Sequence, residues 1–326
     1  MQSELRKKLL DAFSRSEDEY VSGQFLADTL GCSRTAIWKH IEDLRKEGFE
    51  LEAVRKKGYR ITKVPERITA DEIRLGLSTK FLGTQIHYEE SVGSTQKIAH
   101  HLANEDAPEG TVIIAEEQLS GRGRMDRKWH SPKYTGVWMS VILRPNIPPP
   151  KAPQLTLITA VAVVQAIEEL TGLSPQIKWP NDILINGKKV TGILTELQAD
   201  ADRIISIIIG IGINVNQQIE DYPDEIKNIA TSLSIESGKK LQRAELVKLL
   251  LHKFENLYLL YLEKGFYPIK LLWESCAISI GKTITARTIT GSIHGKALGI
   301  TEDGVLMIED EAGKVHHVYS ADIELS

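Results

Sequence analysis

The chain has 326 residues, of which 42% are hydrophobic and 26% are charged, and its formal net charge is −4 at neutral pH. This length and composition predict two or three domains with substantial hydrophobic cores. The first residues are charged and helical in pattern, which argues against a signal sequence, and we expect no apolar run to reach membrane-spanning length. Cys32 and Cys276 are too far apart to form a C-x-x-C pair, and we expect a cytoplasmic location with reduced thiols.

Charge is distributed unevenly along the chain. Residues 33–63 contain nine Lys and Arg against five Asp and Glu, a balance of +4 in a chain whose total is negative. A local excess of basic residues in an acidic chain predicts contact with nucleic acid at the N-terminal end.

The N-terminal residues predict three helices. A first helix is predicted over residues 4–13, a second from a Ser22 cap to Gly31, and a third from Ser33. A helix, a glycine-containing turn and a capped helix form the helix-turn-helix pattern. The residues of the third helix expected to contact DNA are Ser33, Arg34, Thr35, Trp38 and Lys39.

Two alternating segments, 49–54 and 59–61, then predict a β-hairpin. Its tip is basic, with Arg55, Lys56 and Lys57, as expected of a wing that contacts phosphate or the minor groove. The alternative is a protein-docking domain whose charges are only solvated. Because so small a module binds weakly alone, we expect a two-fold dimer on a palindromic operator.

The central part of the sequence alternates between strand and helix patterns and predicts an α/β domain with a mixed sheet. A long helix is predicted over 155–170, and a hairpin joins residues 196–198 to 204–209. The run 204–209 is apolar on both faces, which predicts either a central strand or an edge strand buried in an oligomer. The main strands are predicted at 112–115, 137–143, 190–197 and 204–215.

The C-terminal part begins with a predicted helix over 242–264. Residues 281–325 then alternate as short strands, which predicts a small SH3-like β-barrel that contacts ATP or a carrier protein, or only supports the fold. Turns are predicted at 290–291, 295–296, 302–304 and 311–313. The predicted fold is therefore α+β and multidomain, with domains at 1–64, 65–272 and 273–326.

The most informative segment is residues 121–130, which we call the Gly-Arg loop. It contains two glycines, four cationic side chains within seven residues, and Trp129. Such a loop is expected to close over an anion. It lacks the third glycine of the dinucleotide fingerprint, and Cys276 stands where a Walker loop ending at Gly281-Lys282-Thr283 needs its first glycine.

Polar groups follow several predicted strands. They include the segment 94–96, Gln118, Lys178-Trp179-Pro180-Asn181-Asp182 (residues 178–182, the KWPND segment), and Lys188-Lys189. Each is weak alone, since a lysine pair is often an exposed turn and Asn-Asp is often a helix cap. Together they predict a site with amide hydrogen-bonding groups, a carboxylate and several cations.

Over its whole length the sequence resembles the bifunctional biotin–protein ligase and biotin-operon repressor family. Beside the helix-turn-helix, the motifs of the resemblance are 121–124 with Trp129, 178–182, 192–194 and 210–214. The resemblance implies that biotin and ATP form biotinyl-5′-AMP and pyrophosphate, and that biotin then passes to a lysine of a biotin carboxyl carrier protein of acetyl-CoA carboxylase or another biotin-dependent carboxylase. It also implies repression of biotin genes at operator DNA, with biotinyl-5′-AMP as corepressor, and a ligand-promoted homodimer.

The resemblance also implies roles for individual residues, with Lys189, Arg122 and Arg124 as the catalytic groups and Asn181 and Asp182 placing Mg²⁺. The implied biotin-binding residues are Ser94, Thr95, Gln96, Gln118, Arg122, Gly123, Arg124, Lys189, Gly192, Gly210 and Gly212. The implied nucleotide-binding residues are Arg124, Trp129, Lys178, Asn181 and Asn214.

Two positions depart from the family pattern. Asp126 stands where some relatives have glycine, so we expect altered loop dynamics and weaker retention of the adenylate. Residues 319–322 stand where family members often have an arginine that touches adenine. The alternatives to a biotin ligase are a lipoate-type ligase of similar fold and a biotin-sensing repressor without activity.

Overall fold

The computed structural model of the protein describes residues 2–14, 16, 19–46, 49–63, 67–200, 203–289 and 291–325. They form two compact units, Met1–Ser78 with Gln242–Lys248, and Thr79–Leu241 with Leu249–Ser326. The predicted boundary after residue 64 lies outside the described residues, and the exact domain limits stay a prediction.

The first unit begins with three helices, α1 (Gln2–Ser14), α2 (Gly23–Leu30) and α3 (Arg34–Lys46). The Ser22 hydroxyl accepts a hydrogen bond from the amide of Phe25, and α2 ends at Gly31 in the left-handed conformation. The Ser33 hydroxyl accepts from the amide of Ala36 at the start of α3. The predicted caps are thus present, and the helix-turn-helix is confirmed.

The predicted wing is also present. Strands β1 (Glu50–Val54) and β2 (Gly58–Lys63) pair antiparallel. The amide of Tyr59 donates to the carbonyl of Val21 over 2.9 Å, which fixes the hairpin to the segment before α2. A short helix, α4 (Ala70–Arg74), follows and is capped by Thr69 with Glu72.

The second unit is built on a seven-stranded mixed sheet in the order β3-β4-β5-β9-β8-β7-β6. Only β3 and β4 run parallel; the other neighbours are antiparallel. Strands β4 and β5 are buried along their whole length, which explains their continuous apolar sequences. The strands are β3 (Ile86–Glu89), β4 (Val112–Ala115), β5 (Gly136–Leu143), β6 (Gln176–Lys178), β7 (Asp182–Ile185), β8 (Lys188–Asp200) and β9 (Arg203–Asn214).

The pairing of strand β9 bears on the alternative left open for residues 204–209. The strand pairs with β8 on one side and with β5 on the other, so it is a central strand. For residues 207–209 the alternative of an edge strand buried in an oligomer is wrong, because residues 207–214 pair on both sides. Residues 204 and 206 pair with β8 alone, and for residues 204–206 the alternative stays a prediction. The predicted β8–β9 hairpin is confirmed, and the residues at its tip, 201–202, lie outside the described ranges.

Helices cover the sheet. Helix α5 packs against β4, β5 and β9, whereas α6 packs against β6, β7 and β8. Residues 149–171, which include α6, are long and apolar enough to cross a membrane, contrary to the expectation that no run reaches this length. Most of this stretch is buried within the protein, as in the core helix of a globular domain. The helices of the second unit are α5 (Thr95–Asn104), α6 (Ala152–Thr171), α7 (Leu233–Ser237), α8 (Arg243–Lys264, whose first residues belong to the first unit) and α9 (Tyr267–Cys276).

The predicted β-rich C-terminal part is a five-stranded antiparallel sheet in the order β13-β12-β11-β10-β14. The turn predicted at 295–296 is wrong, because both residues lie inside β11. Turns at 302–304 and 311–313 are present, and residue 290 lies outside the described part. The strands are β10 (Thr283–Thr288), β11 (Gly291–Ile300), β12 (Leu306–Glu309), β13 (Val315–Val318) and β14 (Asp322–Leu325).

Candidate active site and nucleic-acid interface

A buried polar network lies at the start of α5. Gln118 Oε1 accepts hydrogen bonds from the amide of Thr95 (2.9 Å) and from its hydroxyl (3.2 Å). The Thr95 hydroxyl also lies 2.9 Å from Ser140 Oγ, which donates to Gln96 Oε1 over 2.9 Å. Ser94, the N-terminal cap of α5, is buried beside it. The structure therefore brings together the four polar residues predicted to bind biotin.

Ser140 was missed in the sequence because it lies within the apolar strand β5. Ser140 carries the single hydroxyl in a run of eight buried residues. Because a buried hydroxyl needs a hydrogen-bonding partner, this hydroxyl was the signal for a polar contact. Gly210 is also explained here, because a Cβ atom at this position would lie 2.6 Å from Gln96 Oε1. Its nearest neighbour is thus a protein side chain, and its contact with biotin stays a prediction.

Trp129 lies on the paired strands β8 and β9. A Cβ atom at Gly192 would lie 2.9 Å from the indole, and one at Gly212 would lie 2.3 Å from Nε1. These two glycines therefore leave room for Trp129, and that indole nitrogen has no acceptor among the residues that the structure describes. The Lys189 ammonium lies 5.4 Å from the indole ring and forms a 2.6 Å ion pair with Asp182.

The Gly-Arg loop turns back on itself, with the amide of Gly123 donating to the carbonyl of Arg127 over 2.7 Å. Met125 and Asp126 have φ angles of 55° and 56°, a conformation that costs residues with a Cβ atom roughly 1–2 kcal/mol each. Asp126 thus occupies a backbone position suited to glycine, the residue that some relatives have there. Arg122 lies 3.7 Å from Asp126 and 3.9 Å from Glu196.

Arg124 connects the Gly-Arg loop to two other segments. Its guanidinium donates to Asn181 Oδ1 over 3.1 Å and to Ser320 Oγ over 2.8 Å. Burial lowers the pKa of Arg124, against the opposing effect of Asp322 and Asp182. The loop and the KWPND segment, which are far apart in sequence, therefore meet at this arginine, as the resemblance implies.

Arg127, Ser320 and Asp322 were not predicted as site residues. Arg127 forms a 2.5 Å ion pair with Asp322 at the start of β14. The sequence offered only the basic character of the loop and the unusual residues at 319–322. Arg127 and Asp322 are 195 positions apart in the chain, and no local pattern predicts their contact.

Asn214 and Lys178 are also predicted to contact the nucleotide. The Asn214 side chain is buried, donates to the carbonyl of Thr231 and accepts from Gln217, so its hydrogen bonds are made within the protein. Lys178 ends β6 and is only partly exposed. Contacts of both residues with a nucleotide stay predictions.

The described residues contain no group of three His, Cys, Asp or Glu side chains that could hold a metal ion. Of the pair predicted to place Mg²⁺, Asn181 already uses both ends of its amide, on Arg124 and on the carbonyl of Ile193. Asp182 is a partly exposed carboxylate paired with Lys189. One carboxylate fits Mg²⁺ when substrate phosphates and water supply the remaining ligands.

The residues predicted to contact DNA share one property, which is exposure to solvent. Trp38 on α3 is 54% exposed, an unusual position for a large aromatic side chain in a monomer. The exposed residues are Ser33, Arg34, Thr35 and Lys39 on α3, with Arg55, Lys56 and Lys57 at the tip of the wing.

The sequence analysis missed the residues that support the wing. The Arg60 guanidinium lies 4.8 Å from the centroid of the Tyr20 ring and pairs with Glu52 over 2.8 Å. A hydrogen bond with Glu52 raises the pKa of Tyr20. Of the basic residues at the tip, Lys57 also lies 5.7 Å from the centroid of the Tyr20 ring. These contacts stabilise the hairpin.

Comparison with known proteins agrees with this arrangement. Residues 88–214 match the Biotin/lipoate A/B protein ligase family, residues 6–60 match an HTH domain, and residues 279–326 match the Biotin protein ligase C terminal domain. The chain is 58% identical to the bifunctional ligase/repressor BirA of Bacillus subtilis over 325 residues, with 100% of both chains covered.

More distant relatives are similar in sequence or in structure. The bifunctional ligase/repressor BirA of Escherichia coli is 29% identical over 90% of this chain and 89% of its own. The biotin protein ligase of Aquifex aeolicus, solved in complex with biotin and ATP, is 33% identical with a TM-score of 0.65 and covers 74% of this chain and 100% of its own. This full-length similarity, in which each part of the chain finds its counterpart, shows that the chain belongs to the biotin–protein ligase family and contains its helix-turn-helix domain.

Proposed function

We propose that the protein is an ATP-dependent biotin–protein ligase that forms biotinyl-5′-AMP and transfers biotin to a lysine of a biotin carboxyl carrier protein. We further infer that it binds operator DNA as a repressor of biotin genes, with biotinyl-5′-AMP as corepressor. The observation that best supports the ligase is the meeting of the Gly-Arg loop with the KWPND segment at Arg124 and Asn181. The exposed basic face of the helix-turn-helix and wing supports the second activity.

In the first reaction, a carboxylate oxygen of biotin attacks the α-phosphorus of ATP, and the bond to pyrophosphate breaks. We assign charge neutralisation at this centre to Lys189, Arg122 and Arg124, which belong to β8 and the Gly-Arg loop. Lys189 and Arg124 contact the neighbouring residues Asp182 and Asn181, and Arg122 lies 3.9 Å from Glu196 of β8. In the second reaction, the ε-amine of the carrier lysine attacks the biotinyl carbonyl carbon, loses a proton, and AMP leaves. Neither step needs a covalent enzyme nucleophile, so positioning and charge neutralisation account for catalysis.

We place the biotin head group at the network of Thr95, Gln96, Gln118 and Ser140. The amide and hydroxyl groups of this network form a connected set of donors and acceptors. They can therefore donate to the ureido oxygen and accept from the ureido N–H groups. Ser94 and the Gly-Arg loop would complete the site. We assign Trp129 to the adjoining nucleotide site, where its indole lies beside Lys189.

Mg²⁺ would neutralise charge on the ATP phosphates when bound. Of the residues present, Asp182 is suited to hold it, because the Asn181 amide is used by Arg124 and by the backbone of β8. We therefore assign Asn181 to the positioning of Arg124.

We infer that the ligand promotes a homodimer, which would place two helix-turn-helix modules on a palindromic operator. Ordering of the Gly-Arg loop by the adenylate is the proposed cause. Sedimentation velocity with and without biotin and ATP tests this. An unchanged sedimentation coefficient over a range of protein concentrations would exclude ligand-promoted dimerisation and leave the ligase activity unaffected.

Ligase specificity is tested with labelled acids. We expect ATP-dependent incorporation of biotin into a purified carrier domain and no incorporation of lipoate. Incorporation of lipoate alone would identify a lipoate-type ligase, and binding of biotin without any transfer would identify an inactive sensor. We propose a cytoplasmic location, where ATP, DNA and the carrier are all available.

A further inference from the structure

A carboxylate lies among the cations of the proposed nucleotide site. Asp322, the first residue of β14, pairs with Arg127 over 2.5 Å. Two positions earlier, Ser320 accepts a hydrogen bond from Arg124. The hydrogen bond from Arg127 lowers the pKa of Asp322, and the charges of Arg127, Arg124 and Lys178 lower it further. An anion is thus in contact with Arg127, two residues from the serine that accepts from Arg124.

The proposed reaction does not use this carboxylate. Arg124 and Lys178 are assigned to a nucleotide that carries several negative charges, and a fixed negative charge beside them opposes its binding. Two explanations are possible. Asp322 either holds the arginines in the ligand-bound state, or it neutralises them only while the site is empty.

We propose that Asp322 is an internal counter-ion of the empty nucleotide site, which holds Arg127 against the C-terminal sheet until the phosphates of ATP replace it. Asp322 is then a positioning residue that acts through Arg127. Ser320 positions Arg124 through the hydrogen bond that it accepts. The inference rests on the proposed ligase function, because it takes ATP as the anion.

The exposure of the pair favours replacement over permanent attachment. The Arg127 and Asp322 side chains are 65% and 44% exposed, so water and salt screen their attraction strongly. Arg127 donates to both carboxylate oxygens of Asp322, over 3.5 and 2.5 Å. Triphosphate oxygens offer arginine the same bidentate geometry with more negative charge. The backbone of the Gly-Arg loop at Met125 and Asp126 is also strained, which is consistent with a segment that changes conformation.

The test is the affinity of the biotin-saturated full chain for α,β-methylene-ATP, which cannot be cleaved between the α- and β-phosphates, measured by calorimetry. We expect Asp322→Asn to bind it about two- to tenfold more tightly, because a competing charge is removed. Without nucleotide, trypsin should also cut the Gly-Arg loop of the Asp322→Asn variant faster than that of the unaltered protein. Glu324→Gln is the matched control, since it removes a charge and an ion pair, with Arg287, from the same strand.

Three results would overturn the inference. Weaker binding by Asp322→Asn would mean that the carboxylate supports the bound state, and equal tightening by Glu324→Gln would reduce the effect to overall charge. In an Arg127→Ala background the gain from Asp322→Asn should disappear, and its persistence would also contradict the inference. Failure of the unaltered protein to bind the nucleotide would instead refute the proposed function.

Discussion

Lys189 lies between a carboxylate and an aromatic ring. Its ammonium is 2.6 Å from Asp182 and 5.4 Å from the indole of Trp129, and its backbone pairs with residues 229 and 231. These contacts fix the position of a flexible side chain. A positioned cation of this kind can stabilise the charge that develops at the α-phosphorus.

Lys189→Ala should therefore lower the rate of adenylate formation by about 100-fold or more, the range seen when one stabilising group is removed from a charged transition state. The rate is measured as pyrophosphate release with biotin and ATP at saturating concentrations. The matched control is Lys188→Ala, because Lys188 is the exposed neighbour at the start of the same strand. A variant at position 189 that retains full activity would remove this residue from the catalytic group.

At the scale of elements, the Gly-Arg loop combines a strained backbone with weak ion pairs. Arg122 lies 3.7 Å from Asp126, and the two central residues of the loop are in the left-handed region. We therefore expect the loop to gain stability from a ligand rather than from its own sequence. This agrees with a segment that encloses an anion.

Asp126→Gly removes the carboxylate that lies 3.7 Å from Arg122 and should free this arginine for the adenylate. It also relieves about 1 kcal/mol of backbone strain at this position. We expect slower release of biotinyl-5′-AMP, measured by chase with unlabelled ligand after its formation. Met125→Gly separates the two causes, because it changes the same backbone conformation at the neighbouring position without removing a charge. Faster release from Asp126→Gly would contradict the predicted effect of this residue.

The sequence predicted elements well where the cause is local. Ser22, Gly31 and Ser33 delimit helices through bonds within a few residues, and each was identified correctly. The turn at 295–296 was wrong because a Cβ atom at Gly295 would lie 2.2 Å from the carbonyl oxygen of Glu309. That glycine is needed for close approach of β11 to β12, which only the folded sheet reveals.

Contacts between distant segments limited prediction of the site. The polar residues at 94–96 and Gln118 were predicted, whereas Ser140, which connects them, was not. The pairing of strand β9 on both sides likewise depends on long-range order. Motifs thus indicated most residues of the candidate site, and tertiary packing showed which further residues contact them.

At the scale of the whole molecule, one chain contains an exposed basic DNA-binding face and a ligase site. Arg34→Ala should weaken operator binding and reduce the slope of its salt dependence by about 1 if Arg34 contacts phosphate. Binding is measured by fluorescence anisotropy at several salt concentrations. Lys46→Ala is the control, since Lys46 pairs with Asp43 at the other end of α3. An equal loss in both variants would indicate only a general charge effect.

The central claim, that this site activates biotin with ATP, is tested most directly by pyrophosphate release from the purified full chain. The proposed function predicts release that requires both biotin and ATP and that occurs without any carrier protein. Release that is independent of biotin, or no release when biotin is bound, would contradict the claim.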